Sequence, residues 1–221
     1  VGAATIREAE GQPEAYLQLQ KGQGLILLVT EAKVDAEPWP YLEEGDTVDV
    51  LDRRWSVRFV DGGPELPPDL EMENLQSWSA MDSIFGAFSG RAIYQTEFSE
   101  PDDHPGSWIL DLGEVYESAH VFLNDRDKGT LIGPQFRLRI DADELRETNR
   151  LEIHVSNLMA NRIIDMDKKN IYWKKFYNVN FPPRRAENRG ENGLFDASGW
   201  EPLPSGLLGP VRLIEGKEVK F

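Results

Sequence analysis

The chain has no cysteine. A disulfide, a thiolate nucleophile and a Cys-based zinc site are thereby excluded. Basic residues are scarce beside acidic ones. Lys and Arg number 24 against 39 Asp and Glu in 221 residues, a formal charge of −15. Phosphate neutralisation needs clustered Lys and Arg. The one basic run, from Lys168 to Arg185, is short and mixed with Asn and aromatics. Nucleic acid and anionic membranes are therefore not expected as partners. Long apolar runs are also missing. The longest near the N-terminus covers residues 25–29, far too short to span a bilayer. The chain starts at Val1 rather than Met, which suggests a mature or excised piece. Aromatics reach 10%, so a disordered acidic tail is excluded.

Helical periodicity is equally absent. No long amphipathic stretch and no internal repeat occurs, whereas short alternating runs separated by turn signals are common. Residues 16–20 alternate apolar and polar, 21–24 form a turn, and 25–30 form an apolar strand. Further strands are expected at 47–51, 55–59, 92–98, 107–112, 118–123, 135–140, 150–155 and 211–214. Residues 141–149 leave room for one short helical turn. Such a pattern predicts an all-β sandwich or barrel. Two long irregular segments remain, 64–88 and 157–206. Loops of that length are commonly functional, and the aromatic content of these two argues for order.

Chemistry is sparse in the motifs. The three histidines, His104, His120 and His154, form no ligand motif, and the latter two lie within strand patterns. The run Asp125-Arg126-Asp127-Lys128-Gly129 hints at a calcium loop. It fails the EF-hand template, having Thr130 where Gly is needed and Phe136 where Glu is needed. A hairpin turn is the better reading. Asp165, Asp167 and Asn170 fail the same test. No cofactor is expected, and a structural calcium ion held through backbone carbonyls stays open. There is no Gly-x-Ser-x-Gly elbow, P-loop or dinucleotide fingerprint. Carboxylates are too abundant for any pair to stand out, and sequence does not give the separation that glycoside hydrolysis requires. The segment Ile171-Tyr172-Trp173-Lys174-Lys175-Phe176-Tyr177-Asn178, preceded by Asn161-Arg162, combines flat rings with amides and a guanidinium. Apolar walls bearing a few placed polar groups suit a sugar. Asn161, Arg162, Tyr172, Trp173 and Tyr177, with Trp200 and Trp78, are the candidate carbohydrate contacts. The alternative for each is packing of a long loop.

Several stretches carry a resemblance. Residues 88–98, then Trp108-Ile109-Leu110-Asp111-Leu112-Gly113-Glu114-Val115 and Ala119-His120-Val121-Phe122-Leu123-Asn124, resemble the sugar-binding-like jelly roll of family 2 glycoside hydrolases. Asp125 stands where that signature has Gly. Residues 134–140 and 149–157 resemble its closing half. The tail, Trp200-Glu201-Pro202-Leu203-Pro204-Ser205-Gly206-Leu207-Leu208-Gly209-Pro210-Val211, together with Asn161-Arg162-Ile163, is similar to the C-terminal end of family 106 glycoside hydrolases, the bacterial α-L-rhamnosidases. The resemblance implies a galactose-binding-like jelly-roll β-sandwich over residues 49–221. A strand-rich connector would occupy residues 1–48.

Such enzymes carry their catalytic acids on a large α/β barrel upstream, and no alternating strand–helix region of that size is present here. No catalytic residue is therefore carried over. The resemblance implies a non-catalytic accessory domain of a secreted glycoside hydrolase, periplasmic or extracellular and monomeric. Its partner would be the catalytic barrel, with a carbohydrate ligand as a second candidate. The alternatives are a free-standing carbohydrate-binding protein and a small autonomous glycosidase.

Overall fold

The protein is described by a computed structural model covering residues 2–32, 34–51, 53–101, 106–174 and 185–219. It opens with a hairpin of β1 (Ile6–Ala9) and β2 (Gln12–Ala15). The turn residues Glu10 and Gly11 both take positive φ, 52° and 74°, the mirror-image turn whose twist matches the strands. The hairpin is almost wholly exposed. The strands expected at 16–20 and 25–30 are not formed, and no strand is assigned between β2 and residue 42. Turn and pattern are present there, but among the described residues no sheet lies alongside to receive them.

Beyond this arm lies an antiparallel sandwich. One sheet has six strands in the order β10 (Arg126–Ile132), β9 (Ser118–Leu123), β12 (Thr148–Ser156), β6 (Ser89–Ser99), β4 (Trp55–Gly63) and β5 (Leu70–Met72). The other has four, in the order β11 (Arg137–Asp141), β7 (Ser107–Asp111), β14 (Arg212–Glu218) and β3 (Leu42–Val50). The strand β3 runs through the expected domain boundary at residue 48 and pairs with β14 along its length. A short pair, β8 (Glu114–Tyr116) with β13 (Gly206–Gly209), closes one end. The architecture is the expected all-β sandwich.

Alternation decides which side chains enter the core. Trp55, Val57 and Phe59 of β4 point inward with Ala92, Tyr94 and Phe98 of β6. Leu151, Ile153 and Val155 of β12 join them, with Ala119, Val121 and Leu123 of β9. Trp108, Leu110, Ile140 and Leu213 answer from the facing sheet. Each fully buried Leu or Ile side chain contributes about 1.5–3 kcal/mol on the transfer scale. The β9–β10 hairpin turns on Asn124 and Asp125, with φ of 51° and 66°, so the run read as a failed calcium loop is a tight turn followed by a strand.

The two segments read as irregular contain short helices. The first holds β5 and the one-turn helix α1 (Ser83–Gly86). The second holds α2 (Ala160–Lys168). No helix among the described residues is long and apolar enough to cross a membrane.

Candidate functional site

The tail motif explains itself first. Asn157, Asn161 and Ser205 form a polar latch between β12, α2 and the strand β13. The Asn161 amide nitrogen donates to Leu203 O at 2.8 Å and Ser205 Oγ at 3.1 Å, and its Oδ1 accepts from Leu203 N at 2.8 Å. Asn157 donates to Phe88 O at 2.9 Å and Ser205 Oγ at 3.1 Å, and accepts from Gly90 N at 2.8 Å. Ser205 N donates to Ser77 Oγ at 2.9 Å, and Trp78 N donates to Ser205 O at 2.9 Å. Beside it, Trp78 Nε1 donates to Tyr94 Oη at 2.6 Å, and Leu207 N donates to the same oxygen at 3.2 Å. Burial pushes the Tyr94 phenol far above its ordinary pKa, so it stays neutral. Gly206 completes the junction with φ of 98°. A Cβ there would meet Trp78 Nε1 and Tyr94 Oη at 2.6 Å, so only glycine fits.

This corrects two expected sugar contacts. Trp78 is fully buried and offers no ring face to a ligand. Asn161 is 3% exposed with its amide fully engaged, so its work is to hold the tail. Arg162 turns its guanidinium over the backbone at Gly63, away from the cavity described next.

That cavity forms where α2 ends. Asn170 takes φ of 53°, Ile171 N donates to Met166 O at 2.8 Å, and Asn170 N donates to Asp167 O at 3.1 Å. These two bonds about a left-handed residue are the Schellman helix stop, which reverses the chain over its own last turn. The reversal brings Trp173 and Lys174 back onto Asp167. The carboxylate accepts Trp173 Nε1 and Lys174 Nζ at Oδ1, each at 2.7 Å, and Ala197 N at Oδ2, 2.9 Å. Both members of the Asp167–Lys174 pair are largely buried. The Lys174 ammonium also lies 4.8 Å from the Trp173 ring centre.

The opposite wall comes from the segment after residue 185. Gly190 N donates to Leu194 O at 2.9 Å and Asp196 N to Asn188 O at 2.9 Å, folding the loop upon itself. Trp200 Nε1 donates to Asn188 Oδ1 at 3.1 Å, and its ring packs edge-on against Phe195. Trp200 thus braces this wall from behind. Asp196 Oδ1 accepts from Ser198 N at 2.8 Å. This bond, a second from the Ser198 side chain and the Lys174 charge hold the carboxyl below its ordinary pKa of 3.8.

Between the walls lies an open cavity of about 590 Å³. Tyr172 stands at its mouth, 63% exposed. Asn170 and Asn192 add amides, while among the described lining residues Asp167, Glu191 and Asp196 set three carboxylates against the Lys174 ammonium. The cavity offers amide and carboxylate partners for hydroxyl groups, the rings of Tyr172 and the half-buried Phe195, and an excess of carboxylates among its described lining residues.

Of the seven expected contacts, Tyr172 lines the cavity, Trp173 and Trp200 support its walls, and Tyr177 lies outside the described residues, as does His104. Asp167, Asp196 and Asn192 were not singled out as contacts; their role appears only once the loop closes over α2. Among the described residues, no group of three or more His, Asp or Glu side chains could hold a metal ion. A second, smaller cavity of about 240 Å³ lies beside Leu51, Trp55 and Leu75.

No protein-family model matches the chain. A Formosa agariphila protein bearing the name of a β-glucuronidase is 33% identical over 179 residues, which is 72% of this chain and 15% of that protein. The solved structure of a rhamnosidase from Novosphingobium sp. PP1Y is similar with a TM-score of 0.60 and 31% identity. That likeness covers 83% of this chain and 16% of the rhamnosidase. The chain is related to glycoside hydrolases. It spans about one sixth of the length of each of these two relatives. This glycoside-hydrolase-related sandwich therefore corresponds to one part of much longer proteins.

Proposed function

We propose that the chain is a non-catalytic accessory domain of a larger glycoside hydrolase of the α-L-rhamnosidase type, with a carbohydrate-contact role centred on the cavity at Tyr172. The observation that carries the domain reading is the match itself: 83% of this chain aligns with 16% of a rhamnosidase. The cavity supports the binding role. Its exposed ring suits the C–H face of a sugar, and its amides and carboxylates suit hydroxyls. The excess of carboxylates favours a neutral deoxyhexose over a uronate.

Two measurements test the proposal. The 221-residue chain is incubated with nitrophenyl α-L-rhamnoside and nitrophenyl β-glucuronide, and no turnover is expected. Titration calorimetry with rhamnose-containing oligosaccharides is expected to give a Kd on the order of 1 mM, about −4 kcal/mol. Tyr172→Ala is expected to weaken that binding at least tenfold. Hydrolysis abolished by a single Asp or Glu replacement would show a catalytic chain instead. Absence of binding at ~10 mM sugar would reduce the role to scaffolding.

A further inference from the structure

The described surface has one anomaly that the cavity does not absorb. Residues 25–29 are five consecutive large apolar side chains, and all are exposed, Ile26 fully and Val29 to 93%. Leu17, Leu19, Val34 and Trp39 are exposed around them. Isolated apolar residues on a surface are ordinary, but an unbroken exposed run marks an interaction site.

The arm leading to this run is positioned rather than loose. Between residues 16 and 20 exposure alternates residue by residue. Tyr16 packs edge-on against Tyr41 with ring centres 5.1 Å apart, and Gln18 Nε2 donates to Leu42 O at 2.8 Å. Their neighbours Leu17 and Leu19 face outward. The segment is therefore extended, with one side resting on the sandwich and the other presented. A turn follows. Gln23 N donates to Gln20 O at 3.0 Å, Gln20 N donates to Gln23 Oε1 at 3.1 Å, and Gly22 takes φ of 85°. A turn is thus built ahead of residues 25–30, with no strand pairing between 16–20 and 25–30 among the described residues.

The pattern of that last segment specifies what it needs. A strand with one buried face alternates apolar and polar, whereas a strand covered on both faces is apolar throughout. Residues 25–29 are of the second kind. They require a sheet edge for their backbone and apolar layers above and below. Two observations select the occupant. The relatives are about five times as long as this chain, so a large body of polypeptide stands beside the matching part in each. A second copy is a poor candidate, because each copy brings a charge of −15 and the run is flanked by Glu31, Asp35 and Glu37.

We propose that residues 25–30 are a donated strand, completing an open sheet edge covered by apolar layers in the remainder of a longer glycoside hydrolase polypeptide. Residues 16–20, held on the sandwich, and residues 25–30, held in the neighbouring fold, then clamp the two together. This rests on the reading of the chain as a domain of a larger enzyme.

The test is hydrogen exchange by mass spectrometry, on the 221-residue chain and on the native polypeptide that carries this sequence. Amides 25–30 are expected to exchange at unprotected rates in the short chain and at least ~1,000-fold more slowly in the long one, the contrast between a frayed segment and a core strand. The double variant Ile26→Asp, Leu28→Asp gives an independent readout. It is expected to leave the melting temperature of the short chain unchanged and to render the long polypeptide protease-sensitive at this junction. Unprotected amides in a longer polypeptide overturn the inference alone. Protection that appears in the short chain with rising concentration, together with a dimer mass, assigns the strand to a second copy and also overturns it. A native polypeptide of only 25.1 kDa overturns the accessory-domain reading itself.

Discussion

Asn161→Ala separates a structural from a ligand-binding role at a residue whose type suits both. The side chain makes three hydrogen bonds, two to the backbone of Leu203 and one to Ser205 Oγ. Each intramolecular hydrogen bond contributes about 1 kcal/mol net, and a buried partner left unpaired costs more. Leu203 as a residue is 42% exposed and its bonds to Asn161 are only partly buried, so water can replace them in part. Ser205 Oγ keeps Asn157 as a donor. The expected loss is about 2–3 kcal/mol, which for a chain of this length lowers Tm by about 5–10 °C. Circular dichroism melts of the two proteins at pH 7 measure it. Sugar titration at 20 °C, where the variant is still folded, should give an unchanged Kd, because Asn161 does not line the cavity. A variant that melts within 1 °C of the parent while losing sugar affinity would refute the latch and restore Asn161 as a contact.

Three further perturbations follow from the geometry. Gly206→Ala forces a methyl against Trp78 Nε1 and Tyr94 Oη at a φ of 98°, and a loss of at least ~3 kcal/mol, seen as insoluble expression or a greatly lowered denaturant midpoint, is expected. Asp125→Gly relieves a left-handed aspartate in the β9–β10 turn and gives up only an exposed ion pair with Arg150, so a gain of about 0.5–1 kcal/mol should appear as a higher urea midpoint with unchanged slope. Burial alone would raise the Glu152 carboxyl, but hydrogen bonds from His154 and Gln95, aided by Arg150, bring it below its ordinary 4.5. The native state therefore binds fewer protons there than the unfolded chain. The resulting stability is present above pH 4.5 and is lost as pH falls through the lower folded value. Glu152→Gln should accordingly destabilise at pH 6 and converge with the parent in acid, and parallel Tm curves from pH 6 to pH 3 would contradict this.

Most of the sandwich was legible because its strands have one wet face. β4, β6, β9 and β12 alternate cleanly, and their inward residues form the core. The strands that escaped notice lack that signature. β13 is Gly-Leu-Leu-Gly, β8 and β5 are three residues each, and β1, β2 and β10 bury no side chain that would mark an inward face. The helix α2 was missed because only Asn161 and Ile164 of its nine residues are buried, one of them polar. The opposite error fell at residues 16–30, where the strand pattern is real but its receiving sheet is missing among the described residues. Pattern reports what a segment can pair with; the sheet needs the partner. The site was half legible for a similar reason. The aromatic cluster drew attention to Tyr172 and Trp173, while Asp167, Asn192 and Asp196 meet them only through the Schellman stop and the folded loop beyond residue 185.

The order of strands in the smaller sheet has a consequence for synthesis. β3, the first strand of the sandwich, has β14, the last, as its neighbour, and β14 also pairs with β7. The four-stranded sheet therefore lacks its central joint until the ribosome has delivered residues 212–218. Until then β3 has no partner in its sheet, and β7 and β11 wait as a separate pair facing the larger sheet. Closure between the two ends of so long a segment is a high-contact-order event and correspondingly slow. During translation the nascent sandwich exposes one face of its aromatic core, and a ribosome stalled just before β14 would leave a chain that holds most of its hydrophobic residues with no finished layer to cover them.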